Sequence, residues 1–143
     1  MIVVDVNLLI YAYNPSAEQH PQARRWLETV LSGEETVGLP WIVLIAFLRL
    51  TTSPRIFPTP LNTKEAAEVV ERWLANPTVT IPSPSERHWQ VLRPLLETGR
   101  VRGPEMTDAH LAAMTIEHGA TLCTSDRDFA RFPGLKLLDP LEA

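Results

Sequence analysis

The apolar positions of this chain follow two rhythms. Ile2, Val3 and Val4 form an unbroken β-branched run without polar alternation, as in a strand buried on both faces. Short runs at 36–39, 79–81, 120–124 and 136–138 predict further strands. Between them the period changes. Ala23, Trp26, Leu27, Val30 and Leu31 recur at three-four spacing, predicting a helix with Pro21 in its first turn and an end near Gly33. Residues 41–48 are all apolar and predict a helix that starts after Pro40 and ends about Leu50, with Arg49 as its only charge. Other helices are predicted over 7–13, stopped by Asn14-Pro15; from an Asn62/Glu65 capping pair to Leu74; and from a Ser85 cap to about Leu96, where Pro94 should kink the last turn. Two more follow: Thr107 caps 108–117, closed by Gly119, and Ser125 caps a short segment ending at Phe132. Short apolar strands alternating with helices predict an α/β three-layer sandwich, a short parallel sheet flanked by helices, in a single domain over residues 1–143.

Composition narrows the class. A 143-residue chain with 45% apolar and 21% charged residues buries enough surface to need no cross-links. Cys123 is the only cysteine, which excludes an internal disulfide and a thiolate zinc cage. The longest apolar run, 41–48, is far too short to span a membrane, and the start of the chain lacks a signal peptide's basic region, so a soluble cytoplasmic protein is expected. The net charge is −4, yet all but Lys64 and Lys136 of the 13 basic residues are arginine, which permits phosphate contacts without requiring them.

Several enzyme classes are absent from the sequence. The six glycines form neither a dinucleotide fingerprint nor a P-loop, and there is no Gly-x-Ser-x-Gly or His-Glu-x-x-His motif. His20, His88, His110 and His118 show no metal-ligand spacing; His110 and His118 read as surface or core-edge residues at opposite ends of one helix. Aspartates remain. Asp5 follows the first strand and Asp126 the 120–124 strand, so both should project at the carboxyl edge of the sheet, where open α/β folds place their functional crevice. Asp108 opens the helix leading into the latter strand and should reach the same edge. Three converging carboxylates repel unless a cation neutralises them, and an all-oxygen set suits Mg²⁺, or Mn²⁺. Each aspartate also has a structural reading: Asp5 as a helix cap, Asp108 and similarly Asp126 as a dipole partner, Asp128 as part of a capping box with Ser125, and Asp139 as a turn residue before Pro140.

Three segments together carry a family resemblance. Ile2-Val3-Val4-Asp5-Val6-Asn7-Leu8-Leu9-Ile10, Thr107-Asp108-Ala109-His110-Leu111-Ala112 and Thr124-Ser125-Asp126-Arg127-Asp128-Phe129 resemble, in order and spacing, PIN-domain ribonucleases of the VapC toxin type. The resemblance implies an Mg²⁺-dependent endoribonuclease toxin acting on structured RNA, a small antitoxin that masks the site, and a homodimer. It makes Asp5, Asp108 and Asp126 the catalytic and metal-binding residues, with Asp128 assisting. It further has Asn7 steadying the first aspartate and Thr124 near the scissile phosphate. Arg49 and Arg127 are the candidate RNA contacts. One departure stands out: Ala46 occupies the place where the family usually has a glutamate, and no acid on that helix replaces it, although Glu105 could reach the site from its loop. That substitution motivates a rival reading, a non-catalytic RNA- or antitoxin-binding module. A phosphohydrolase with Asp5 as nucleophile is weaker, because Asn7 stands where a second acid is needed. The apolar helix at 41–50, with Phe57 and Trp73, reads either as a central buried helix or as a partner groove.

Overall fold

The computed structural model describes residues 1–142. Five short strands, β1 (Ile2–Val4), β2 (Val37–Gly38), β3 (Val79–Thr80), β4 (Thr121–Cys123) and β5 (Lys136–Leu138), form one parallel sheet in the order β3-β2-β1-β4-β5. Six helices accompany it: α1 (Val6–Tyr13), α2 (His20–Leu31), α3 (Trp41–Thr51), α4 (Thr63–Ala75), α5 (His88–Thr98) and α6 (Met106–Glu117). The expected sandwich is present. β1 lies at its centre with Val3 and Val4 wholly buried, which is why this strand has no polar residue.

The order places the functional edge. β1 pairs with β2 on one side and β4 on the other, so the chain leaves two adjacent parallel strands, β1 and β4, at the same end. Gly38 keeps the β1–β2 seam tight: a Cβ there would lie 3.2 Å from Val3 Cγ2 and 3.1 Å from Pro82 Cγ. α3 is half buried. Val43, Leu44 and Phe47 enter the core, where Phe47 meets Trp73 edge-on at 4.7 Å, while Trp41 and Ile45 are 53% and 55% exposed one turn apart. Phe57 and Trp73 therefore belong to the core and do not widen an apolar surface. No helix among the described residues is long and apolar enough to cross a membrane.

Three expected caps are displaced. The capping box of Asn62 and Glu65 forms as predicted, but Ser85, Thr107 and Ser125 do not cap their helices. The Ser85 hydroxyl donates to Glu117 Oε1 at 2.6 Å, and the helix starts three residues later. Thr107 lies inside α6 and donates back to the Pro104 carbonyl at 2.9 Å. Asp126, a stronger acceptor than Ser125, caps the 3₁₀ turn Arg127–Arg131 by accepting from the Asp128 amide at 2.9 Å. α5 holds Pro94 in its interior and runs to Thr98, two residues past the expected end.

Candidate active site

The crevice is built from the ends of β1 and β4 and the first turn of α6. Asp5, the residue after β1, is a buried carboxylate: Oδ1 accepts from the Val6 amide at 2.8 Å and Oδ2 accepts from the Thr124 hydroxyl at 2.7 Å. It is thus both the cap of α1 and the most enclosed acid of the site. Burial raises its pKa, the bonds from Thr124 and Val6 oppose the rise, and repulsion from Asp126 adds to it.

Thr124 is the hub. Its single hydroxyl proton goes to Asp5, so its oxygen must accept the Asp126 amide at 3.0 Å and Asn7 Nδ2 at 3.3 Å. That proton count also fixes the Asn7 amide. With nitrogen towards Thr124, the buried Asn7 Oδ1 has no partner. Asn7 therefore steadies the first aspartate through Thr124, not by direct contact.

Asp108, in the first turn of α6, is half-buried, and its pKa is pushed up to about 6 by burial first and then by repulsion from Asp5 and Asp126. Arg131 offsets part of this, but its guanidinium is committed to the Gly99 carbonyl and Glu105. Glu105 is likewise engaged, with Oε1 accepting from the Arg102 amide and Oε2 from Arg131, so it does not fill the place left by Ala46. Asp128 is exposed and touches the site through its backbone amide on Asp126.

Ala46 faces the acids. It lines a cavity of about 150 Å³ together with Asp5, Asp108 and Arg49. Arg127 does not line this cavity; its side chain is 91% exposed and 3.9 Å from Glu142. All the convergent donors are oxygens, and among the described residues no three His, Cys, Asp or Glu side chains close into a cage. A hard cation held by one or two carboxylates with waters completing its shell fits such a set.

A second polar cluster, absent from the sequence reading, joins α5 to α6. Glu117, its side chain 2% exposed, accepts from the Ser85 amide and hydroxyl and from His88 Nδ1. His88 Nε2 lies 2.9 Å from His110 Nδ1. With both imidazoles neutral, His110 donates to His88 and His88 donates to Glu117, so both nitrogens of His88 are satisfied. The hydrogen bonds from Ser85 and His88 outweigh burial and keep Glu117 below the usual glutamate range; burial and the neighbouring His88 hold His110 below the usual imidazole range.

A parallel sheet of this order, with carboxylates from two adjacent strand ends and the intervening helix, defines an acid-edged α/β domain. The PIN domain family model matches residues 2–135, and the chain belongs to the PIN-domain family, in its VapC branch. Ribonuclease VapC37 of Mycobacterium tuberculosis is 40% identical over 140 residues, covering 98% of this chain and 97% of the relative. Ribonuclease VapC43 of the same species is 39% identical over 142 residues, with 99% and 97% covered. Among solved structures, Rickettsia felis VapBC2 bound to a promoter DNA fragment superposes with a TM-score of 0.69 at 22% identity over 96% of this chain and 98% of that one. Mycobacterium tuberculosis VapC20, described as a sarcin–ricin loop cleaving toxin, gives 0.68 at 19% identity over 95% and 99%. These two support the fold.

Proposed function

We propose that this protein is a divalent-metal-dependent endoribonuclease, the toxin of a toxin–antitoxin pair, acting on structured RNA. The observation that carries the reading is the convergence of Asp5, Asp108 and Asp126 at the carboxyl ends of β1 and β4, a charge arrangement that is costly without a cation. Asp5 and Asp108 would hold Mg²⁺ or Mn²⁺, with Asp126 completing the site through water. When bound, the ion supplies positive charge to a phosphodiester and acidifies water beside it. The chain's own residues do the rest. Thr124 holds Asp5 in one rotamer, Asn7 and the Asp126 amide hold Thr124, and the Asp128 amide holds Asp126. Arg49, lining the cavity of Asp5 and Asp108, and the exposed Arg127 would bind flanking phosphates. Hydrolysis would leave a 5′-phosphate and a 3′-hydroxyl.

Relatives named as ribonucleases support this activity, and a structural neighbour described as a toxin–antitoxin complex from Klebsiella pneumoniae supports a protein partner. Trp41 and Ile45, exposed beside the cavity that Ala46 lines, offer an apolar stripe to such a partner or to a second copy in a homodimer. One observation favours the non-catalytic reading: Ala46 leaves the cavity beside Asp5 and Asp108 one carboxylate short. Incubating purified protein with structured RNA in Mg²⁺ or EDTA, beside Asp5→Asn, separates the two. Cleavage only by the parent in Mg²⁺ supports the nuclease. RNA binding without cleavage at any metal concentration supports the module, and cleavage surviving both EDTA and Asp5→Asn overturns the metal mechanism.

A further inference from the structure

A larger cavity, about 370 Å³, is lined by residues that the Ala46 hollow does not share. Its lining includes Thr124 and Asp126 of the acid cluster, Leu137 of β5, and Arg127, Asp139 and Glu142. We propose that it receives a guanine base of the RNA strand, from the nucleotide adjoining the phosphate at the acid cluster, with Asp139 reading its Watson–Crick edge. This rests on the ribonuclease reading and names the nucleotide that site selects.

Continuity is the first reason. Thr124, which lines the cavity, is bonded to Asp5, and Asp126 lines it too, so an occupant lies next to the acid cluster, within reach of an adjoining nucleotide of one strand. Volume is the second, since about 370 Å³ lies in the range of small-ligand pockets and takes a purine with water. Charge is the third. Asp126, Asp139 and Glu142 repel a phosphate inside the cavity but attract N–H groups. Leu137, 38% exposed, offers an apolar surface to the flat face of a ring.

The carboxylates also choose among the bases. Guanine alone presents two adjacent donors, N1–H and the exocyclic amino group, to a carboxylate acceptor. Adenine and cytosine set a ring nitrogen lone pair beside their amino group, and uracil flanks its one N–H with carbonyls, so each turns an acceptor towards a negative oxygen. Asp139 is pre-set for this task. Its Oδ1 accepts from the Leu141 amide at 2.9 Å, which fixes the side chain, while Oδ2 has no partner among the described residues. Arg127, held to Glu142 only at 3.9 Å, is able to swing to the adjoining phosphate.

The test is nucleotide binding by calorimetry, without cleavage, in EDTA. 5′-GMP should bind about tenfold or more tighter than IMP, which lacks the 2-amino group, and tighter than AMP, CMP or UMP. Asp139→Asn, whose side-chain oxygen still accepts from Leu141, should erase the GMP preference, while Arg127→Ala should weaken all nucleotides alike. Mapped ends of cleaved RNA should show a guanine beside the cut, lost in Asp139→Asn. Equal binding of GMP and IMP by the parent overturns the proposal. So does Asp139→Asn retaining the GMP preference, or weakening only the binding of an antitoxin peptide. GMP selectivity without any RNA cleavage would keep the pocket and sink the nuclease; cleavage without base preference would do the reverse.

Discussion

Replacing Asp108 by asparagine should stabilise the metal-free protein while destroying its metal response. In the folded chain Asp108 titrates near 6, against about 3.8 for an ordinary aspartate, because burial and the carboxylates of Asp5 and Asp126 disfavour its charge. A raised carboxyl pKa is a folded-state preference for the proton. The stability it brings is whole below about 3.8 and is lost as pH rises through about 6, so the ionised form penalises the fold at neutral pH. The full difference corresponds to about 3 kcal/mol. Asp108 is half exposed to solvent, and screening reduces this to roughly 1–1.5 kcal/mol. For a chain of this size that is a rise of about 3–5 °C in Tm for Asp108→Asn in EDTA at pH 7.5. The rise should shrink towards zero at pH 4, where both variants carry a neutral group. Adding Mg²⁺ should raise the parent's Tm by mass action and leave the variant nearly unchanged. Differential scanning fluorimetry at the two pH values, with and without Mg²⁺, reads all four quantities. A variant less stable than the parent in EDTA at pH 7.5, or an equal Mg²⁺ shift in both, would refute the electrostatic account of the crevice.

Ala46→Glu should place a further carboxylate in the 150 Å³ cavity beside Asp5 and Asp108, tightening Mg²⁺ about tenfold while lowering apo stability; a metal titration of cleavage rate and of Tm checks both. Thr124→Val removes the hydroxyl bond on Asp5 Oδ2 at nearly constant volume, so the Asp5 pKa should climb further and metal affinity or activity fall roughly 10–100-fold, with the acid limb of the pH–rate profile moved to higher pH. Glu117→Ala leaves Ser85 and His88 without their acceptor and should cost about 2–3 kcal/mol in urea unfolding. Glu117→Gln, which still accepts from Ser85 and donates to a flipped His88 tautomer, should cost less.

Much of this architecture was readable because it depends on local patterns. The β-branched run of β1, the three-four spacing of α2 and the Asn62/Glu65 box appear where the residues predict them. Asp5 and Asp126 reach one edge because parallel strands 1 and 4 end together, a consequence of topology that spacing alone foreshadows. The displacement of the Ser85 cap has a long-range cause: its better partner, Glu117, lies 32 residues away, and no local rule signals it. The His88–His110–Glu117 chain was hidden for the same reason. Its members are 22 and 29 residues apart, and only the packing of α5 on α6 brings them together. The pairing of Arg131 with Glu105 likewise comes from the 3₁₀ turn meeting the approach to α6, so a glutamate that seemed available to the site is already occupied.

The bond from Thr124 to Asp5 spans 119 residues, and β1 pairs with β4 over the same distance. During synthesis the amino-terminal aspartate is therefore made first and completed last. Until β4 and the turn after it have emerged, β1 lacks one of its two neighbours, Asp5 lacks the hydroxyl that orients it, and Asp126 does not yet exist. Closing so long a loop is entropically slow, and it comes after the helices have had time to form locally. A nascent or truncated chain thus carries no assembled acid cluster. The cluster can form only once residues 121–128 have left the ribosome, which leaves the interval of their synthesis for a partner to be at hand.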